Sequence, residues 1–293
     1  MLGGIEVIKS AMEKAEILVE ALPYIKEFYG KRVVIKYGGA AMQDCALKKK
    51  VMQDIVLMKY VGMHPIVVHG GGPDINAMLK RLDIKSSFID GLRVTDHDTM
   101  EIVEMVLGGK VNKEIVSGLN ASGGKAIGIS GKDGGLLEAR AMDDTGKMGF
   151  VGEVCQVNPQ IIETLIENGY IPVIAPIGID NEQQSYNINA DLVAAALAVA
   201  LKADKLVLLT DVPGLLQNPK DSESLISVLK VSEVPDYIAN GVIAGGMIPK
   251  VKCCVEAVTG GVGRTHIIDG RVPHSILLEI FTDEGIGTMV IDE

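Results

Sequence analysis

The sequence predicts an α/β protein, an open αβα sandwich with a central, mainly parallel sheet and one extra helix at its N-terminus. Two observations predict it. Short β-branched runs recur along the chain, each followed by a turn and then a stretch of helical periodicity. Those runs are apolar without clean alternation, the pattern of strands covered on both faces by parallel βαβ crossovers.

The first element stands ahead of the sandwich. Ile5, Ile8, Met12, Ala15, Val19 and Leu22 follow a 3-4-3-4-3 spacing, which places them on one helical stripe, and Pro23 ends or kinks that helix. The stripe packs either on the sandwich or on another subunit's copy; the residues alone leave both open. Strands are then expected in RVVIKY (32–37), HPIVVHGGG (64–72), GKAIGIS (124–130), YIPVIAPI (170–177), KLVLLTDVPG (205–214), RTHIIDG (264–270) and GTMVID (287–292). Helical patterns fill 46–61, 73–82, 97–118, 158–168, 189–202, 232–240 and 249–260. No repeat, low-complexity run or long linker interrupts them. The polar stretch 179–187 is the best seam, giving a helix over 1–24, an N-terminal lobe over 25–184 and a C-terminal lobe over 185–293.

Composition narrows the function. With 47% hydrophobic and 23% charged residues, a sizeable core is expected and global disorder is not. A net charge of −10 disfavours nucleic acid as a partner, so any anionic ligand must be held by locally placed cations. No run approaches the roughly 18 apolar residues of a membrane span, and the N-terminus has no secretory apolar core. A cytoplasmic protein without a membrane partner is expected. The cysteines Cys45, Cys155, Cys253 and Cys254 lack metal-ligand spacing and read as reduced, mostly buried thiols. No metal-ligating cluster is read from the chain.

Several segments point to phosphate. Lys36 ends a strand expected to be buried, and Gly38-Gly39 follows it, where a backbone can approach something closely. VVHGGGP (67–73) repeats the theme: Gly70, Gly71 and Gly72 at a strand end leave N–H groups free for an anionic oxygen. Alone, this run fits a tight turn or a hydrolase oxyanion hole equally, but no serine has the GxSxG surround a hydrolase needs. Neither a P-loop nor a GxGxxG fingerprint is present. Arg93 in GLRVTD (91–96) is a candidate carboxylate clamp or a surface ion pair. Asn189 and Asp191 precede an Ala-rich helix, where either could merely cap it. Lys250 stands in a first helical turn, against the positive end of the dipole, so it needs a functional reason. Paired lysines in costly places are an expected tool of phosphoryl transfer.

Taken together, IKYGG, VVHGGGP, GLRVTD, YNINAD, LLTDVPG and GGMIPKV closely resemble the acetylglutamate kinase family of the amino acid kinase superfamily, from about residue 20 to the C-terminus. That resemblance implies phosphorylation of the side-chain carboxylate of N-acetyl-L-glutamate by ATP with Mg2+, in arginine biosynthesis. It implies that Lys36 and Lys250 flank the transferring phosphoryl group and that Asp191 orients them. Gly38 and Gly39 would bind phosphate; Gly71, Gly72, Arg93 and Asn187 would bind the acceptor. Lys205, Thr210, Asp211 and Gly214 would fall at the nucleotide. The helix and the C-terminal run 266–289 resemble those of arginine-inhibited members. They imply an inhibitory L-arginine site at Tyr24, His266, Glu279 and Gly285, and a homo-oligomer, a hexamer built as a trimer of dimers. The run GGMIPKVKCC is reminiscent of kinases controlled by a PII signalling protein. The alternatives are a sibling kinase with another acceptor and a non-catalytic arginine sensor.

Overall fold

The computed structural model describes residue 12, residues 15–16 and residues 18–293 apart from 144, 283 and 284. Ile5 and Ile8 of the N-terminal stripe lie outside that set. Helical residues 18–20 break at a turn on Ala21, and α1 (Leu22–Phe28) begins anew with Pro23 in its first turn. Proline is harmless there, because a first-turn N–H has no helical partner to lose.

Eight strands form the main sheet: β1 (Arg32–Tyr37), β2 (His64–His69), β5 (Ala126–Ser130), β8 (Ile171–Ala175), β11 (Lys205–Thr210), β12 (Val228–Lys230), β13 (Arg264–Asp269) and β14 (Thr288–Ile291). Their order is β12-β14-β13-β11-β1-β2-β8-β5, and every pairing is parallel except β13 with β14. β1 is therefore central, with β2 in register on one side and β11 on the other. Val33 and Ile35 face one apolar layer and Val34 faces the other.

Helices α2 (Cys45–Tyr60), α5 (Asn112–Ala121) and α10 (Ser275–Phe281) cover the first face through Ile55, Leu119 and Ile276. Helices α7 (Ala190–Ala200) and α9 (Met247–Thr259) cover the second through Leu197 and Val251. The alanines of α7 let its backbone lie close against β1, β2 and β11. The remaining helices are α3 (Gly72–Arg81), α4 (His97–Glu104), α6 (Gln160–Glu167) and α8 (Val234–Ala239). Between α4 and α5 runs a π-helical segment, Met105–Val111, within what periodicity predicted as one helix. The sandwich expectation is met.

Two features depart from expectation. Strands β6 (Leu137–Ala141), β7 (Val151–Val157), β9 (Ile177–Ile179) and β10 (Ser185–Ile188) close into a small four-stranded barrel, with β3 (Phe88–Ile89) and β4 (Leu92–Arg93) a hairpin nearby in sequence to the GLRVTD loop. The polar stretch expected as a seam joins the last two strands of that barrel and supplies most of β10. Also, Cys45 and Cys155 are exposed; only Cys253 and Cys254 are buried.

Candidate active site

The site forms along the carboxyl ends of β1, β2 and β11. On β1, alternation puts Lys36 on the same face as Val34, so its side chain runs toward α7. The Asn189 side chain caps α7 by accepting from the Asp191 and Leu192 amides at 2.8 and 3.4 Å. Asp191 thereby sits in the first turn, where the dipole favours its charge. Lys36 Nζ stands 3.0 Å from Asp191 Oδ1, close enough to pair though off the line of a hydrogen bond. Lys250 Nζ, from the first turns of α9, donates to Oδ2 at 3.2 Å. Burial pushes the Asp191 carboxyl upward, but the two lysines outweigh it and hold the group below its usual range. The charge nearest these lysines across the glycine gap is thus the Asp191 carboxylate. It satisfies one lysine charge of two, and one positive charge remains for an anion.

The glycines leave room for the side chains that lie against them. A Cβ on Gly38 would come within 2.7 Å of Lys36 Nζ, and one on Gly71 within 2.4 Å of Leu107 in the π segment. Gly39 has φ +67°, where side chains are disfavoured. Beyond the tri-glycine run, Arg93 is buried, donates to Ser86 Oγ and to Gly72 O (3.3 Å), and stacks on Phe88 at 4.7 Å. Asn187 donates to Thr95 Oγ1 at 3.1 Å. Its strand pairs with β7 at Val151 and with β9 at Ile177, so the small barrel is what fixes Asn187.

Three cavities lie in series. One of about 170 Å³ is lined by Gly71, Gly72, Arg93, Asn187 and Asn189. The next, also about 170 Å³, is lined by Lys36, Gly38, Gly39, the tri-glycine run and Asp191. The third, about 560 Å³, is lined by Asp211, Gly214, Met247, Lys250 and Arg271. Glycines 70–72 are shared by the first two, and the Lys250–Asp191 pair joins the second to the third. A separate apolar cavity of about 320 Å³ between α2 and α5 has no such convergence.

Thr210 lies at this edge, donating to the Val212 and Ile268 carbonyls. Lys205, expected beside the nucleotide, does not. It opens β11 at the opposite end, about 16 Å of strand from Thr210. There it lies over the Phe28 ring at 4.2 Å. Burial, with Arg264 adding repulsion, pulls its pKa down to about 8. Its neighbours are the residues expected to bind arginine. His266 Nδ1 lies 2.6 Å from Glu279 Oε1, both buried, and Glu279 Oε2 accepts from the Ile286 amide at 2.9 Å. Gly285, with φ +60°, leaves room beside that carboxylate, and Tyr24 of α1 packs on the same apolar layer as α10. Sequence reasoning missed Arg271, which borders the third cavity and is held by Asp269 at 2.7 Å. The signal was available: Asp269 ends β13 and Arg271 follows it at the same sheet edge. Among the described residues no three His, Cys, Asp or Glu side chains converge as metal ligands. A divalent cation here would be held mainly by phosphate oxygens of a nucleotide, as is usual for Mg2+.

Comparison with known proteins identifies the family. The model of the amino acid kinase family matches residues 31–269. The acetylglutamate kinase of Syntrophomonas wolfei is 80% identical over 98% of this chain and 100% of its own. That of Moorella thermoacetica is 64% identical over 96% and 98%. Among solved structures, N-acetylglutamate synthase from Neisseria gonorrhoeae, complexed with coenzyme A and N-acetyl-glutamate, superposes with a TM-score of 0.84 at 25% identity. It covers 95% of this chain, which spans 63% of that longer protein. The chain therefore belongs to the amino acid kinase family, among its acetylglutamate kinases, and is an ATP-using enzyme of arginine biosynthesis.

Proposed function

We propose that the chain transfers the γ-phosphoryl group of ATP to the side-chain carboxylate of N-acetyl-L-glutamate, and that L-arginine inhibits it. One observation carries the transfer: Asp191 held between Lys36 and Lys250 where the second and third cavities join. The acceptor sits in the first cavity, with Arg93 gripping a carboxylate and Asn187 an oxygen. Backbone N–H groups of Gly71 and Gly72, and of Gly38 and Gly39, face the transferring group. Asp191 keeps both lysines extended toward it, so they neutralise charge from opposite sides without reorganising. Thr210, Asp211 and Gly214 border the nucleotide. Mg2+, when bound with ATP, supplies neutralisation of the β- and γ-phosphate oxygens.

The inhibitory reading is supported by Tyr24, His266, Glu279 and Gly285 gathering at the far end of the sheet. Glu279 supplies a buried carboxylate of the kind that pairs with a guanidinium. Lys205 belongs to this end too. A hexameric trimer of dimers is supported by the stripe at Leu18, Val19 and Leu22, which one chain leaves 73%, 68% and 46% exposed.

Trapping the acyl phosphate with hydroxylamine tests the transfer. ATP-dependent hydroxamate is expected from N-acetyl-L-glutamate and not from L-glutamate; product from glutamate alone would instead assign a different acceptor.

A further inference from the structure

The tri-glycine run rests on a histidine to which the proposed chemistry gives no part. His69, the last residue of β2, is completely buried. Its Nδ1 lies 2.8 Å from the Gly70 carbonyl oxygen, and its Nε2 lies 3.2 Å from Asn112 Nδ2. An amide nitrogen only donates, so Nε2 accepts and the ring proton is on Nδ1, donated to Gly70. The orientation of the Asn112 amide is itself fixed. Its nitrogen also faces the carbonyls of Val173 at 3.0 Å and Ile129 at 3.3 Å, while its oxygen accepts from Lys113 Nζ at 3.0 Å. A flipped amide would set oxygen against two carbonyl oxygens and nitrogen against an ammonium.

The consequence reaches the substrate. No peptide bond among the described residues is cis, and a trans peptide points its C=O and N–H in opposite directions. With the Gly70 carbonyl drawn toward the buried ring, the Gly71 N–H is turned the other way, toward the cavities that the tri-glycine run lines. Gly70's own N–H is tied to the Tyr37 carbonyl at 2.9 Å, so the preceding peptide is anchored as well. Among the described residues the Gly71 N–H has no protein acceptor.

We infer that His69 and Asn112 are positioning residues for phosphoryl transfer, holding the Gly70–Gly71 peptide so that its N–H faces the substrate oxygens. Two independent features of the fold serve this pair. The π segment ends at Val111, directly before Asn112, and its extra residue per turn sets where that side chain falls. On β5, Gly128 leaves the space the Asn112 amide fills: a Cβ there would come within 1.8 Å of Oδ1. Burial also pushes the His69 pKa down to about 4, which keeps Nε2 bare and able to accept.

The inference rests on the proposed role of the tri-glycine run, and its first test does not. In the unliganded protein, 15N NMR should show the buried imidazole with Nδ1 protonated and Nε2 bare from pH 6 to 8. The Nε2–H tautomer would overturn it. The second test compares two amides. In His69→Asn the side-chain nitrogen falls near the Nδ1 position and can still donate to Gly70; in His69→Gln it reaches the Nε2 position instead. His69→Gln should lose roughly 100-fold in kcat with little change in the nucleotide KM, as for loss of one oxyanion donor. His69→Asn should recover most of that. A residue that only filled space would rank them in reverse, because glutamine is the closer match in volume, and that ranking would overturn the inference.

Discussion

Asp191 carries a structural and a chemical task at once, and the two can be separated. Lys36→Met or Lys250→Met leaves the carboxylate one partner, so folding should survive while kcat falls roughly 10²–10³-fold. Asp191→Ala leaves two lysines facing each other without a counter-charge, and should cost about 3 kcal/mol of stability as well as activity. Thermal unfolding beside steady-state rates distinguishes the two outcomes. His69 gives a pH signature of its own. Its folded pKa of about 4 lies below the unfolded value of 6.5, so the unfolded chain binds the extra proton between them. Stability is therefore complete above pH 6.5 and lost as pH falls toward 4, by on the order of 3 kcal/mol. Asp54, buried and raised to about 6, works in the opposite sense below that pH. The difference between wild type and His69→Asn in urea midpoint across pH 4–7 isolates the histidine. At this scale the sequence was most legible where a residue sat somewhere costly: Lys36 and Lys250 both stood out. His69 did not, because a histidine closing an apolar strand looks like any strand end until its two nitrogens are seen to have different partners. Lys205 misled because it shares a motif with Thr210 and Asp211, and a strand places its two ends far apart.

Among elements, those with a clear period were legible to within a few residues, as α2, α7 and α9 show. The small barrel was not. β6 and β7 interleave Glu138, Arg140, Glu153 and Gln156 with short apolar side chains, and β9 has only three residues, so no run suggests a strand. That barrel nevertheless fixes Asn187, so part of the acceptor wall was invisible beforehand. Helix α10 was missed for the reverse reason: SILLEIF is apolar nearly throughout and carries no period. The N-terminal helix makes a prediction at this scale. Replacing Leu18, Val19 and Leu22 together by serine removes its exposed apolar stripe. The expected result is a mass near that of a dimer by light scattering, with the kinase reaction retained; a hexamer in the triple variant would show that other contacts assemble it.

Across the whole molecule, β13 links two distant sites. His266 and Asp269 lie on that strand, about 10 Å apart, one at the proposed arginine cluster and the other beneath Arg271 at the nucleotide cavity. A strand central to a packed sheet moves as a unit, so an effector at one end has a physical route to the other. α10 connects further: it packs on α1 and on α2, where His274 Nδ1 meets the buried Asp54 at 2.5 Å. Glu279→Gln should raise the arginine concentration for half-inhibition roughly 10-fold or more, through loss of a charge-assisted contact. The measurement is an arginine titration of each protein, normalised to its own arginine-free rate. An unchanged midpoint would remove Glu279 from the inhibitory site.

The placement of β1 also has a consequence in time. Its hydrogen-bonding edge toward β11 is filled only by residues 172 positions later in the chain, as the contact of the Arg32 amide with Asp204 shows. A ribosome needs on the order of ten to thirty seconds to cover that distance. Throughout it, β1 can pair with β2 while its other edge, flanked by Val33, Val34 and Ile35, stays open beside the exit tunnel. The strand that carries Lys36 is thus also where the nascent chain is most exposed to wrong partners, and where a chaperone's protection matters most.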